Sequence, residues 1–205
     1  MAKINIRKLN SEDLENVLNL FNRHARITKK RRLGFRRRIL FSYILGAVLN
    51  RLGEDIFIGS IAETANRHII GTVFARRFPF GKSWVIGPVF LHPSSRGSYI
   101  ATYLMNFTVQ QLRMKKAKLA ILSVGKNNIQ ARRFFEKYYF KCFGPVFEDH
   151  DEARKYVRKF TLVYGYLQSI NHKMGQYALE TKIANSNQKP RRNQIRPWCI
   201  MLRKL

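Results

Sequence analysis

Apolar residues recur along the chain at the spacings of short strands and helices. Ile4 and Ile6 alternate with polar residues and predict a strand over residues 3–9. The next run opens with a capping residue, Asn10 or Ser11, followed by acidic residues that suit the start of a helix. Apolar residues at helical spacing then predict a helix over residues 11–25: Leu14, Val17, Leu18 and Phe21.

The middle of the chain alternates between β-rich and helical patterns. Residues 55–63 and 68–76 flank a short turn and predict a hairpin, and residues 84–91 predict a third strand. Gly87-Pro88 inside that strand indicates a bulge, because proline cannot donate a ladder hydrogen bond. The remaining pattern predicts a helix over 97–115, a strand over 119–124, a helix over 127–138 and a strand over 140–147.

Two further segments stand outside this alternation. Residues 26–52 are first basic and then apolar, and the apolar run is shorter than the roughly 20 residues that span a bilayer. We interpret them as a helical segment that is buried, lines a partner groove or, least favoured, touches a membrane surface. Residues 148–196 form an insertion before a closing strand, with a helical first half (Ala153, Tyr156, Val157, Phe160) and a polar, loop-like second half. We expect one α/β domain over residues 1–205.

The charge balance favours a polyanionic partner. The chain carries 39 Lys and Arg against 12 Asp and Glu, a formal net charge of +27. Because the basic residues are grouped in blocks, RNA or another polyanion is favoured over a merely solvated basic surface. The blocks are residues 26–38, 113–118, 154–159 and 189–196.

Cysteine and histidine usage argues against two classes of site. Two cysteines are too few for a disulfide-dense secreted scaffold. Neither they nor the five histidines have metal-ligand spacing, so we expect no metal. The N-terminal residues contain no apolar leader, and we expect a cytoplasmic protein or one of an organelle matrix.

The most informative stretch is V-F-L-H-P-S-S-R-G-S-Y-I-A-T-Y-L, residues 89–104, in which a predicted strand enters a predicted helix through a tight turn. Backbone N–H groups at such a helix start point outward, and the helix dipole adds partial positive charge. Arg96 adds a fixed charge, and Gly97 lets the backbone approach a ligand closely. The stretch therefore predicts an anion site suited to a pyrophosphate.

Two motifs, correctly ordered, resemble those of the GNAT (Gcn5-related N-acetyltransferase) superfamily. R-G-S-Y-I-A, residues 96–101, is similar to the Q/R-x-x-G-x-G/A pyrophosphate loop. V-x-x-x-N-x-x-A-x-x-x-F-E-K-x-x-F, from Val124 to Phe140, is similar to the second half of the family signature. The resemblance covers residues 1–147 and 197–205. It implies a GNAT fold, with a mixed, mostly antiparallel central sheet flanked by helices and a basic insertion before the last strand.

The resemblance also implies that the chain binds acetyl-CoA and transfers acetyl to an unknown amine acceptor. The backbone around Phe90 and Leu91 is expected to pair with the pantetheine arm, where the family splays two strands apart. Asn128 is expected to hydrogen-bond pantetheine, and Phe135 to lie beside the thioester arm. The pyrophosphate loop is expected to comprise Arg96, Gly97, Ser98, Tyr99, Ile100 and Ala101, with a hydroxyl from Thr102.

The sequence departs from the family pattern at positions that bear on catalysis. Tyr99 stands where the loop usually has glycine, and Phe135 where the family often has a tyrosine that protonates the leaving thiolate. Tyr138 and Tyr139 do not match that position. Glu63 is the nearest candidate general base, with a solvated strand end as the alternative. Two functions stay open: an N-acetyltransferase with an acidic or RNA-associated acceptor, and an RNA-binding protein that keeps the fold with reduced chemistry.

Overall fold

A computed structural model of the chain describes residues 4–27, 55–78, 82–125, 127–147, 155–160 and 198–205. Two compact units make up the chain: a first unit of Met1–Arg76 and Ile86–Lys115, and a second unit of Arg77–Val85 and Lys116–Leu205. The expectation of a single domain stays a prediction. Most of the basic and apolar segment 26–52 and of the insertion 148–196 lies outside the described residues.

The first unit contains neighbouring antiparallel strands and two helices. Its strands follow the order β1 (Ile4–Lys8), β2 (Phe57–Thr64), β3 (Ile69–Arg77) and β4 (Ser83–Leu91), of which β4 contributes Ile86–Leu91. Its helices are α1 (Leu14–Ile27) and α2 (Ile100–Met114). The register places Arg7 opposite Ile61 and Ser60 opposite Val73. The predicted hairpin and third strand are confirmed.

Helix α1 begins where its capping residues predicted. Asn10 Oδ1 accepts a hydrogen bond from Asp13 N at 3.2 Å, and Asp13 Oδ2 accepts one from Asn10 N at 2.9 Å. This reciprocal capping box closes a 3-10 turn, Ser11–Asp13, that leads into the helix. The helix packs into an apolar cluster with β2 and β3, made of Leu9, Val17, Leu20, Phe21, Ile61, Ile69 and Phe74.

Helix α2 packs on the other face of β2. Ser60 and Ile61 are adjacent in this strand, so their side chains point to opposite faces. Ile61 lies in the cluster with α1, whereas Ser60 Oγ accepts a hydrogen bond from Thr108 Oγ1 of α2 at 2.9 Å. Both hydroxyl groups are fully buried. The two helices of the first unit therefore cover the two faces of its strands.

The second unit orders its strands β4-β5-β7-β6. Strand β5 (Leu119–Gly125) pairs in parallel with the Ser83–Val85 part of β4, and β7 (Trp198–Lys204) lies antiparallel between β5 and β6 (Lys141–Phe147). Helix α3 spans Ile129–Lys137, and residues 155–160 form a further helix, α4. The core confirms the predicted helical face of the insertion at Val157 and Phe160, packed with Phe78, Leu119, Ile121 and Phe143.

The strands are thus mixed and mostly antiparallel and are flanked by helices, as the family resemblance implied. Helix α2 begins at Ile100 and not at the predicted residue 97. Gly97 has φ +76°, a left-handed conformation that cannot belong to the helix. Gly87, within β4, has φ +134°, a conformation that suits glycine alone.

Candidate functional site

The connection from β4 to α2 is a compact turn. His92 N donates to Ile70 O at 2.7 Å, which ties the end of β4 to β3. The His92 ring then caps a short 3-10 turn, Pro93–Ser95, with Nδ1 2.7 Å from Ser94 Oγ. Gly97 follows in its left-handed conformation and reverses the chain into the helix. The turn is therefore fixed by its own hydrogen bonds before the helix starts.

The start of α2 presents backbone donors that lack acceptors. In the part of the chain that the structure describes, the N–H groups of Gly97, Ser98, Tyr99 and Ala101 donate no hydrogen bond. Ile100 N reaches Ser98 Oγ at 3.4 Å. Unsatisfied N–H groups and the positive end of the helix dipole act at the same place, and both favour an anion there.

Tyr99 and Arg96 are the two large side chains beside these backbone donors. Tyr99 has φ −70° and ψ −1°, so a helical backbone accommodates a side chain where the family loop has glycine. Its ring is 77% exposed. Arg96 is exposed, with an extended backbone, and precedes the row of N–H donors directly. A guanidinium beside backbone donors is suited to a phosphate group.

Phe90 and Leu91 lie at the end of β4, just before this turn. The ring centroids of Phe90 and Phe21 lie 4.2 Å apart, and Leu91 packs beside Gly71 of β3. The parallel pairing of β4 with β5 covers Ser83–Val85 among the described residues. This ladder therefore ends before Phe90 and Leu91. The expected pairing of their backbone with a pantetheine arm stays a prediction.

The second unit holds the other two predicted coenzyme residues. Asn128 caps α3, and its Oδ1 accepts a hydrogen bond from Ala131 N at 3.2 Å, so Nδ2 is the donor that it can offer a ligand. Phe135 is 7% exposed and packs against Phe134 and Phe140, with ring centroids at 5.3 and 5.9 Å. Both predicted residues therefore have structural contacts of their own.

Glu63 is not the solvated strand end that we considered as an alternative, because it is 7% exposed. Its carboxylate accepts hydrogen bonds from Arg7 Nε at 3.0 Å, Arg7 Nη2 at 2.8 Å and Asn5 Nδ2 at 2.9 Å. Arg7 also donates to Asp13 through Nη1 and Nη2, at 2.8 and 2.7 Å. The hydrogen bond from Arg7, more than any other cause, holds the pKa of Glu63 below its ordinary value.

No sequence motif points to Arg7, which lies 56 residues from Glu63 and 6 from Asp13. The antiparallel register of β1 and β2 brings these groups together, and no local spacing shows it. Within the described residues, no three histidine, cysteine, aspartate or glutamate side chains cluster as a metal site would require. No helix among those same residues is both long and apolar enough to cross a membrane.

Comparison with known proteins identifies the family. The model of the acetyltransferase (GNAT) family matches residues 17–140. A sequence comparison with curated proteins gave no match.

Solved structures share the fold at low sequence identity. A GNAT-family acetyltransferase from Streptococcus pneumoniae has a TM-score of 0.62 at 12% identity, covering 99% of this chain and 100% of that one. An N-acetyltransferase from Staphylococcus aureus Mu50 has a TM-score of 0.61 at 14% identity, covering 99% of both chains. PaiA N-acetyltransferase from Thermoplasma acidophilum, in complex with coenzyme A, has a TM-score of 0.54 at 18% identity, covering 68% of this chain and 91% of that one.

The family match spans more than half of the chain and includes the turn, the start of α2 and the whole of the second signature motif. The mixed, mostly antiparallel strands flanked by helices agree with it. The chain belongs to the GNAT family of acetyltransferases.

Proposed function

We propose that this acetyltransferase uses acetyl-CoA as its donor and binds the pyrophosphate at the start of α2. The observation that carries the proposal is the row of N–H groups at Gly97, Ser98, Tyr99 and Ala101, which have no acceptor among the described residues. Arg96 supplies the charge for the same anion. The coenzyme A bound in the Thermoplasma acidophilum structure supports this donor class.

The remaining coenzyme contacts follow from the family resemblance. The backbone of Phe90 and Leu91 pairs with the pantetheine arm, and the end of the parallel ladder at Val85 supports this role. Asn128 donates to the pantetheine through Nδ2, because its Oδ1 serves the helix cap. Phe135 contributes an apolar wall beside the thioester arm, and Thr102 a hydroxyl to the pyrophosphate loop.

The transfer we propose is direct. A neutral amine attacks the thioester carbonyl carbon, the carbon–sulfur bond breaks, and coenzyme A leaves as a thiolate. Backbone N–H groups of β4 stabilise the oxyanion of the tetrahedral intermediate. The nitrogen loses its proton to water and the thiolate gains one from water, because Phe135 has no proton to donate. Glu63 is the side-chain candidate to accept the nitrogen's proton in place of water, although its hydrogen bonds to Arg7 favour a structural role.

The acceptor that we propose is an amine on an acidic or RNA-associated partner. A chain with a net charge of +27 repels basic acceptors and attracts anionic ones. An acetyltransferase assay with amine substrates of opposite net charge tests this preference. Faster acetylation of a lysine in an acidic peptide than in a basic one is the expected result, and the reverse order contradicts it.

Calorimetric titration with acetyl-CoA tests the donor site. The wild-type protein, freed of nucleic acid, should bind one equivalent at moderate salt. Arg96→Gln should weaken binding by about 10- to 150-fold, since a charge-assisted contact contributes roughly 1.5–3 kcal/mol. Arg113→Gln is the matched control, because it removes an exposed guanidinium from the opposite end of α2. Equal affinities of the two variants for acetyl-CoA would contradict the proposed contact of Arg96 with the pyrophosphate.

A second candidate function is RNA binding with reduced acetyl transfer. Two observations favour it: Glu63 is held by Arg7, and Phe135 replaces the tyrosine that often serves as the acid. Turnover separates the candidates. Acetyl-CoA that binds but is consumed no faster with amines than without them supports the second candidate, whereas acceptor-dependent release of thiol supports the first.

A further inference from the structure

One end of the sheet in the second unit gathers basic side chains. Lys118 N donates to Lys82 O at 2.8 Å, which places the residues just before β4 and β5 side by side. Leu205 N donates to Lys118 O at 3.2 Å, so β7 ends there as well. Lys141, the first residue of β6, pairs with Leu202 of β7. The register therefore brings distant parts of the sequence to one edge.

We define the basic edge by five side chains at this end. Four of them are exposed lysines and the fifth is a partly exposed arginine: Lys82, Lys116, Lys118, Lys141 and Arg203. Glu136 is the one acidic residue in the described part of the second unit, and Arg132 lies 3.5 Å from its carboxylate. The potential at the basic edge is therefore positive, and the field favours a polyanion.

Tyr139 adds an exposed aromatic ring to the basic edge. The ring is 77% exposed, and Arg203 Cζ lies 5.7 Å from its centroid. The backbone fixes its position, because Tyr139 has φ +62° and its N–H donates to Glu136 O at 2.9 Å. An aromatic ring held in place by a guanidinium and left open to solvent is a surface on which a nucleobase can stack.

We propose that the basic edge binds single-stranded nucleic acid, with a base stacked on Tyr139 and phosphates held by Lys116, Lys118 and Lys141. Single strands are favoured over duplexes, because only unpaired bases can leave their neighbours and stack on a protein ring. The proposal is independent of acetyl transfer and of the acetyl-CoA site. It extends the expected polyanion partner beyond the basic block 113–118, which contains Lys116 and Lys118, to Lys141 and Tyr139, which lie in none of the basic blocks.

Fluorescence polarisation with a labelled oligouridine of about 12 nucleotides, without coenzyme, tests the proposal at salt between about 50 and 200 mM. Tyr139→Ala should weaken binding at least about fivefold, because stacking of one base contributes about 1–3 kcal/mol. Tyr139→Phe keeps the ring and should bind like the wild type. Lys118→Gln should lower the slope of log K against log salt by about 0.7.

Two controls separate stacking from simple attraction of charge. Tyr103→Ala removes another exposed tyrosine, 56% exposed on α2 of the first unit, and should leave the affinity unchanged. Heparin is a polyanion without bases, so Tyr139→Ala should bind it as well as the wild type does. An oligodeoxyuridine of the same length differs only in the 2′-hydroxyl. Equal affinity for both strands supports the proposal as stated.

The proposal fails if wild-type protein does not bind oligouridine, or if Tyr139→Ala binds it with unchanged affinity. It also fails if the same variant loses as much affinity for heparin, since the ring then acts through the fold or the charge. Because the assay contains no acetyl-CoA, each of these failures leaves the donor site to be judged by its own titration.

Discussion

Replacing Glu63 by glutamine tests whether this carboxylate stabilises the fold or serves the reaction. Glu63 is 7% exposed and accepts three hydrogen bonds, two of them from Arg7. Glutamine keeps one carbonyl oxygen and turns the other acceptor into an NH₂ group that faces a donor. We expect the free energy of unfolding to fall by about 2 kcal/mol, the magnitude of one charge-assisted hydrogen bond. The melting temperature should fall by about 4–8 °C.

The stability difference between wild type and Glu63→Gln should depend on pH, because the pKa of Glu63 differs between the folded and unfolded states. The pKa of Glu63 is lowered in the folded state, chiefly by the hydrogen bond from Arg7. A carboxylate of this kind stabilises the fold fully above its unfolded pKa of about 4.3, and loses that contribution as the pH falls through the folded-state pKa. The difference between wild type and Glu63→Gln should therefore be constant near neutral pH and shrink below about pH 4.

Urea unfolding followed by circular dichroism at several pH values measures this difference. A double-mutant cycle with Arg7→Gln should give a coupling energy of about 0.5–3 kcal/mol, because the two side chains are in contact. Turnover of the single variant decides its catalytic role. Unchanged stability together with a loss of about 10²–10⁴ in kcat, the contribution of a general base, would refute the structural interpretation.

Three further substitutions test contacts that position the site. Thr108→Val should lower the free energy of unfolding, measured in urea, by about 1–3 kcal/mol, because it leaves the buried Ser60 hydroxyl unpaired. Thr108→Ser keeps the hydroxyl and should retain most of the wild-type stability. Gly59→Ala should cost about 1–3 kcal/mol in the same assay, since the added Cβ would lie 2.6 Å from the Cβ of Leu9. Gly97→Ala places alanine at φ +76° and should lower the free energy of unfolding by about 1–2 kcal/mol. It should also weaken acetyl-CoA binding in calorimetry, and unchanged affinity would contradict the role of this turn.

Local chemistry explains why much of the fold could be predicted. Asn10 and the acidic residues after it define the start of α1 by hydrogen bonds within one turn. Alternating apolar residues likewise predict β2 and β3, because the period of two follows from strand geometry. The start of α2 was the exception, since the left-handed φ of Gly97 belongs to the turn and shortens the helix to Ile100.

Other features depend on strand register and could not be read from spacing. Arg7, Asp13 and Glu63 meet because β1 and β2 pair, and Glu63 is therefore a buried, hydrogen-bonded carboxylate and not a solvated one. Lys82, Lys118, Lys141 and Tyr139 reach one edge because β7 inserts between β5 and β6.

The sequence by itself predicted most of the described elements, the family and a turn before α2, because capping, periodicity and the motif each act over a few residues. The tertiary structure decided which N–H groups of that turn lack an acceptor and which charged groups are partners. Those properties depend on how segments far apart in the chain are brought together, and local sequence does not encode them in its spacing.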